Sequence, residues 1–341
     1  MIAVVGTGAW GTTLAVVLAR SGIPSLLLAR AAEAAELRAT HENRRFLPGV
    51  RLPDNLTVVD SAAALADCGI VLLVVPAQRM RENVAALRPH LPAATIVVSA
   101  AKGLEVGTGK RMSQVIREEL GPAHQSRIAA LSGPNLALEV AAGLPTATVV
   151  AAADERVATV VQGELRLPRL RVYTNADLVG VELCGALKNI IALGAGVCDG
   201  LDFGDNAKAA FLTRGLAEIT RLGVAMGANP LTFAGLAGVG DLVATCASKL
   251  SRNRHVGEQL GRGQSLAQIQ ERLGHIAEGV PTTAAAWRLA RQYDVEMPIT
   301  EKMYAVLFAG ASPREAVSEL MMRDPKGELA GIKLNLARGE E

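Results

Sequence analysis

Aromatic residues make up only 3% of this 341-residue sequence, so its core has to be assembled from Ala, Val, Leu and Ile rather than from packed rings. Cysteine is scarce as well. Cys68, Cys184, Cys198 and Cys246 lie far apart and fall into no metal-ligand or redox spacing, which reads as buried thiols in a reducing, cytoplasmic compartment. A formal net charge of +2 gives no support for nucleic acid or an anionic membrane as a partner, and no basic tract carries interleaved aromatics. None of the five histidines stands in a His-x-x-x-His or similar spacing, so no catalytic metal is expected. No apolar segment runs the roughly 18 residues of a membrane span free of a charge or a glycine turn. The first apolar run has no charged region ahead of it and enters a strand at once, so no signal peptide is expected.

What the chain does have begins at its first residues. Ile2-Ala-Val-Val5 reads as a short buried strand, followed directly by Gly6-Thr-Gly-Ala-Trp-Gly11 and an apolar helix over 12–19. Strand, glycine turn and helix start are the context that a dinucleotide-binding fingerprint needs. In that reading Gly6 permits the turn, Gly8 lets backbone approach a pyrophosphate, and Gly11 lets helix pack close to strand. The exposed N–H groups and the helix dipole hold the phosphates. Residues 25–29 form a second strand with Arg30 at its end. An acid there suits the ribose 2′-hydroxyl of NADH, whereas arginine suits a 2′-phosphate and favours NADPH. The alternative is a solvated arginine starting the next helix.

Further β-branched runs at 56–59, 70–75, 95–99, 128–131, 146–152 and 170–173 are mostly separated by helical stretches, notably 78–87, 109–120 and 154–165. This alternation implies a Rossmann-like, parallel, doubly wound α/β sheet with ligands beyond the carboxyl ends of its strands. Three such ends are distinctive: Val75-Pro76, Ala101-Lys102-Gly103 and Ser132-Gly133-Pro134-Asn135. Lys102 projects where nicotinamide and substrate should meet, unless it is simply a surface loop lysine. The Arg-, Pro- and Asn-rich stretch 42–54 reads as a loop near the adenosine end. Strand signals stop after 175, which divides the chain into an NAD(P)-binding domain, 1–178, and an all-α substrate-binding and catalytic domain, 179–335.

The helical half opens on Glu182-Leu-Cys-Gly-Ala-Leu-Lys-Asn-Ile-Ile-Ala-Leu-Gly-Ala-Gly196, an apolar run with Lys188 near its middle and Asn189 beside it. Ala and Leu dominate and proline is missing, so helix follows despite the glycines, each of which weakens it by roughly 1 kcal/mol. Glycine is useful there if another backbone or a ligand comes close. A lysine in such surroundings loses solvation, which disfavours its charged form and suits it to accept a proton. The alternatives are a lysine that snorkels to the helix edge or pairs with Glu182. Downstream, Gly235-Leu-Ala-Gly-Val-Gly-Asp241 reads as a tight turn around Asp241, with Thr245 following. Ser251-Arg-Asn253 offers donors suited to a phosphate, or else a capped helix start. In His275-Ile-Ala-Glu-Gly-Val-Pro281, Glu278 either reaches a ribose hydroxyl or caps the next helix. Residues 296–301 start a late amphipathic helix, and the charged stretch from Arg323 reads as frayed.

Taken together, these motifs resemble the soluble NAD(P)-dependent glycerol-3-phosphate dehydrogenase family in its bacterial form, over nearly the whole chain. The resemblance rests above all on Cys184-Gly-Ala-Leu-Lys-Asn189. It also takes in Ala101-Lys-Gly-Leu-Glu105, Leu131-Ser-Gly-Pro-Asn135, Gly204-Asp-Asn-Ala-Lys208, Leu212-Thr-Arg-Gly-Leu216 and the segments around Asp241, Ser251 and Glu278. It implies reversible reduction of dihydroxyacetone phosphate to sn-glycerol 3-phosphate with NADPH or NADH, feeding glycerophospholipid synthesis. It also implies a C-terminal domain like that of 6-phosphogluconate dehydrogenase and a cytoplasmic homodimer. By the same resemblance Lys188 is the proton acceptor, with Lys102, Asp241, Asn189 and Thr245 as its catalytic companions. Lys102, Gly133, Asn135, Lys188, Asp241, Ser251, Arg252 and Asn253 match the substrate positions. Gly6, Gly8 and Gly11 belong to the fingerprint, and Ala9, Trp10, Arg30, Lys102, Ala137, Arg252, Ile276 and Glu278 match further cofactor positions. The chain departs from the commonest family pattern at Ala9, often Ser, at Asn135, often Ser or Thr, and at Ala101, often Thr. Two other readings are compatible with the architecture: a β-hydroxyacid dehydrogenase acting on a carboxylate substrate, and a cofactor-sensing protein without turnover.

Overall fold

The computed structural model describes residues 1–273, 277–325 and 327. Eight strands form one sheet in the order β3-β2-β1-β4-β5-β6-β7-β8. They are β1 (Ile2–Val5), β2 (Ser25–Leu28), β3 (Thr57–Val59), β4 (Ile70–Leu73), β5 (Ile96–Ser99), β6 (Ile128–Ser132), β7 (Thr146–Ala152) and β8 (Leu170–Asn175). Helices α1 (Ala9–Arg20), α2 (Ala31–Thr40), α3 (Met80–Leu87), α4 (Met112–Leu120), α5 (Ala137–Ala141) and α6 (Glu155–Glu164) intervene. The inner strands are apolar along their whole length because both faces are covered. Val4, Leu72 and Val98 enter one core layer, while Ala3, Val71 and Val97 enter the layer on the opposite face.

One pair departs from the expected all-parallel sheet: β6 and β7 run antiparallel, with Ser132 opposite Val149, before β8 returns to parallel. The connection explains it. A parallel crossover needs a helix that carries the chain back along the sheet, and five-residue α5 rises only about 7.5 Å. The chain therefore re-enters the sheet at the end where β6 left it.

After β8 the described chain is helical: α7 (Leu178–Gly200), α8 (Gly204–Ala225), α9 (Pro230–Phe233), α10 (Asp241–Ala247), α11 (Arg252–Gly261), α12 (Leu266–Leu273), α13 (Gly279–Gln292), α14 (Pro298–Phe308) and α15 (Pro313–Met321). Helix α7 is the hub, packing against α8, α10, α11, α13 and α14. By length and composition α7 and the stretch Pro230–Ala247 would suffice to cross a membrane, but 89% of the most apolar window of α7 is buried inside the protein. Its glycines are where neighbours press closest. A Cβ at Gly194 would lie 2.1 Å from the Phe211 ring, and one at Gly196 would lie 2.0 Å from the Arg254 carbonyl oxygen.

The segment before Asp241 is a π-helical turn, Leu236–Gly240, running straight into α10, rather than the tight loop turn its glycines suggested. Gly238 explains the tolerance, since a Cβ there would stand 1.9 Å from the Phe233 carbonyl oxygen. The expected cofactor residue Ile276, and the chain beyond 327, lie outside the described residues.

Candidate active site

Helix α7 enters the protein from Asp177, whose Oδ1 accepts from the Gly180 N–H at 2.8 Å and caps the first turn. Ten residues beyond α7's first residue the apolar helix carries Lys188, only 5% exposed. Its Nζ donates to Thr245 Oγ1 at 2.5 Å and lies 3.1 Å from Asp241 Oδ1. Asp241 and Thr245 stand four apart on α10, so both face the lysine. The other carboxylate oxygen, Asp241 Oδ2, accepts from Lys102 Nζ at 2.6 Å, and Lys102 also donates to the Gly133 carbonyl at 2.8 Å. Two lysines from opposite sides of the cleft thus converge on one buried carboxylate.

The electrostatics follow from that convergence. Burial pushes the Asp241 carboxyl upward, but the two neighbouring ammonium groups together outweigh it and hold the group below its usual value. Lys102 is moved the other way, down to about 8, chiefly by burial. The like charge of Lys188 adds to the fall and Asp241 opposes it. A lysine in that range exchanges protons readily near neutral pH.

The alternative of a Lys188–Glu182 pair is ruled out by geometry. Glu182 instead binds the start of α4, accepting from the Ser113 N–H at 2.7 Å and pairing with Arg111. Asn189 likewise does not touch Lys188, contrary to expectation. It donates to the Lys102 carbonyl at 3.3 Å and accepts from Asn253 Nδ2 at 2.8 Å, while Asn253 Oδ1 accepts from the Gly279 N–H at 2.9 Å. The reason is angular: on a 3.6-residue helix, Asn189 shares the face of Glu182 and Gly185, which looks toward the segment after β5. Of the expected phosphate fork only Arg252 is exposed. Its side chain donates no hydrogen bond among the described residues, but desolvation by its surroundings lowers its guanidinium from the usual value while the Glu278 carboxylate opposes that fall. The amide of Asn253 is engaged, and Ser251 caps α11 by accepting from the Arg254 N–H at 3.2 Å.

The cofactor side is built around β1 and α1. Gly6 has φ +114°, and a Cβ there would meet the Val74 carbonyl oxygen at 2.5 Å; one at Gly11 would meet the Gly6 oxygen at 2.1 Å. Gly8 is different, because nothing lies within 4 Å of where its Cβ would be. Helix α1 carries no side-chain cap, so the first-turn N–H groups from Ala9 onward face that open space without intrahelical partners. The indole Nε1 of Trp10 is buried and lacks a hydrogen-bond partner, as do Asn135 Oδ1 and Glu278 Oε2. Asn135 Nδ2 is fixed on Thr148 Oγ1, and Glu278 Oε1 accepts from the Ala77 N–H at 3.2 Å across the cleft. Ala137 opens α5 against α1, its carbonyl accepting from Thr13. Arg30, exposed, is the residue preceding α2. An uncapped helix start, an open glycine and enclosed polar atoms left without partners fit a dinucleotide.

Sequence reading missed several residues of this site. Asn43 is buried and ties Thr7 and Thr12, donating to the Thr7 carbonyl and Thr12 Oγ1 at 2.7 Å each. Thr7 Oγ1 donates to Glu33 at 2.7 Å. No local pattern announces either contact, because both partners are distant in sequence.

Hydride exchange with a nicotinamide requires a phosphate-binding turn that opens onto groups able to take up and return one proton. This molecule has both, on a doubly wound sheet closed by helices, and its class is that of the two-domain NAD(P)-linked dehydrogenases. Within that class the chain belongs to the NAD-dependent glycerol-3-phosphate dehydrogenase family, whose N-terminal model matches residues 1–158 and whose C-terminal model matches residues 177–318. The chain is 52% identical over 334 residues to the glycerol-3-phosphate dehydrogenase [NAD(P)+] of Desulfitobacterium hafniense (strain Y51), covering 98% of this chain and 94% of that protein. Identity to the enzyme of that name from Geobacter sp. (strain M21) is 51%, covering 96% of this chain and 98% of the relative. The crystal structure of glycerol-3-phosphate dehydrogenase from Coxiella burnetii superimposes with a TM-score of 0.89 at 39% identity, covering 94% of this chain and 98% of that one.

Proposed function

We propose that the protein catalyses the reversible NAD(P)H-dependent reduction of dihydroxyacetone phosphate to sn-glycerol 3-phosphate. The observation that carries this reading is the meeting of Lys188 and Lys102 on Asp241, at 3.1 and 2.6 Å, beside a fingerprint built for a dinucleotide. The bound nicotinamide supplies or accepts the hydride. In oxidation Lys188 takes the proton of the substrate hydroxyl, and in reduction it returns that proton to the carbonyl oxygen. Lys102, as a cation, steadies the negative charge that develops on that oxygen. Asp241 and Thr245 hold the Lys188 ammonium in place, and the Gly133 carbonyl fixes Lys102. Arg252 grips the substrate phosphate at the free end of α11, with Ser251 and Asn253 setting the geometry of that helix start. Asn135 offers an acceptor to the substrate side of the cleft.

Gly6, Gly8, Ala9, Trp10 and Gly11 would hold the dinucleotide, Ala137 and Glu278 would border it, and Arg30 would favour NADPH. A division after residue 178 would put Lys188 in the second domain and the glycine fingerprint in the first, with Lys102 and Glu278 each reaching across to the other domain. The product is the backbone of glycerophospholipids, and a cytoplasmic homodimer completes the reading. Lys188→Ala tests it directly. Turnover of dihydroxyacetone phosphate should fall about 10²–10⁴-fold, the usual contribution of a positioned acid or base, while the NADPH dissociation constant stays within about threefold. Near-normal turnover removes Lys188 from the role.

A further inference from the structure

The end of β2 holds two opposed charges rather than one. Arg30 precedes α2, exposed and with no hydrogen bond or ion pair among the described residues. Three residues later, in the first turn of α2, Glu33 is half-buried and turned back onto the glycine fingerprint, where its Oε2 accepts from Thr7 Oγ1 at 2.7 Å. Thr7 itself is immobilised. Its carbonyl accepts from Asn43 Nδ2 at 2.7 Å and from Thr12 Oγ1 at 3.2 Å. The latch pins one carboxylate oxygen and leaves the other, Oε1, without a partner among the described residues. In a doubly wound dinucleotide site the junction of the first glycine turn with the end of the second strand is where the adenosine ribose lies. A fixed carboxylate there accepts a hydrogen bond from a 2′-hydroxyl and repels a 2′-phosphate, while Arg30 does the opposite.

We propose that Glu33, held by Thr7, is the second cofactor-specificity residue of this protein, set against Arg30 so that neither cofactor is rejected. The proposal rests on the dinucleotide site described above and adds to it the residue that moderates the pull of Arg30. It also separates charge from scaffolding. The carboxylate acts on the ligand by its charge and acceptor, whereas the Thr7 hydroxyl acts only by fixing the carboxylate and the turn.

Calorimetric titration of the full chain with two fragments tests this without turnover: 2′,5′-ADP, which carries the 2′-phosphate, and ADP, which has a free 2′-hydroxyl. Glu33→Gln keeps the side-chain length and an oxygen for Thr7 but removes the charge. The ratio of dissociation constants, ADP over 2′,5′-ADP, should rise about tenfold, as expected for loss of about 1.4 kcal/mol of charge repulsion. The kcat/KM ratio of NADPH to NADH should move the same way. Thr7→Val is the structural control: it removes the latch and leaves the charge, so both fragments should weaken together and the ratio should move less than threefold. An unchanged ratio in Glu33→Gln, or an equal weakening of both fragments there, overturns the proposal. Failure of the unmodified protein to bind either fragment instead overturns the dinucleotide site itself.

Discussion

Lys102 is the residue of the site whose charge state burial brings into the working pH range. Its ammonium is lowered to about 8, so it is fully charged only below that value and becomes neutral as pH rises through it. If the cation steadies the developing oxyanion, kcat/KM for dihydroxyacetone phosphate reduction should fall on the alkaline side with a midpoint near 8. Lys102→Arg, which keeps its charge, should lose activity at pH 7 through altered shape yet carry that limb upward by a unit or more (roughly). A limb that stays in place assigns it to another group. At this scale the sequence was readable where a residue type was out of keeping with its surroundings. A lysine inside an Ala- and Leu-rich helix stood out, as did lysine and asparagine after strand runs. Asn189 misled because its neighbour's chemistry was assigned to it; only the angular offset of adjacent helix positions separates the two. Glu33 and Asn43 were silent because their contacts cross from one turn to another.

At the level of elements, α7 and α11 are locked by reciprocal glycines. A Cβ at Gly257 would stand 1.8 Å from the Leu193 carbonyl oxygen, and one at Gly261 would stand 2.7 Å from that of Val197. Across the crossing, Gly196 and Gly200 approach the carbonyls of Arg254 and Glu258 at 2.0 and 2.3 Å. Both partners at Gly257 are backbone, so neither helix can yield by a rotamer change. Gly257→Ala should therefore destabilise the protein by about 2–4 kcal/mol, despite alanine's better helix propensity, and thermal denaturation will show it. A shift no larger than that of an exposed alanine substitution would contradict the close crossing. The sequence displays these glycines as helix weakeners, and their use emerges only when two helices meet. The antiparallel β7 was hidden for a related reason: strand and helix signals alternate there as they do elsewhere, and only the shortness of α5 decides direction. The strands themselves were legible because both-face burial leaves continuous apolar runs.

Across the whole molecule, the site exists only where sheet and helices meet. The Glu278–Ala77, Lys102–Asp241 and Asn189–Lys102 contacts all join the sheet half to the helical half. A ligand seated between them binds the folded form and not the unfolded chain. NADPH at a hundred times its dissociation constant should then raise stability by about 2.7 kcal/mol, measurable as an upward shift in thermal midpoint. Weak or absent protection would mean that the cofactor does not engage the folded cleft.

The buried hub has a consequence for how the chain is made. Helices α8, α10, α11, α13 and α14, which wrap α7, all follow it in order. A ribosome therefore releases this long oily segment well before the last of its coverings. A lipid bilayer would be the competing refuge, and one lysine at mid-helix raises the toll of entering it by about 2.5–3.5 kcal/mol. The amine assigned to proton transfer thus also weighs against misdelivery of the newborn chain into a membrane.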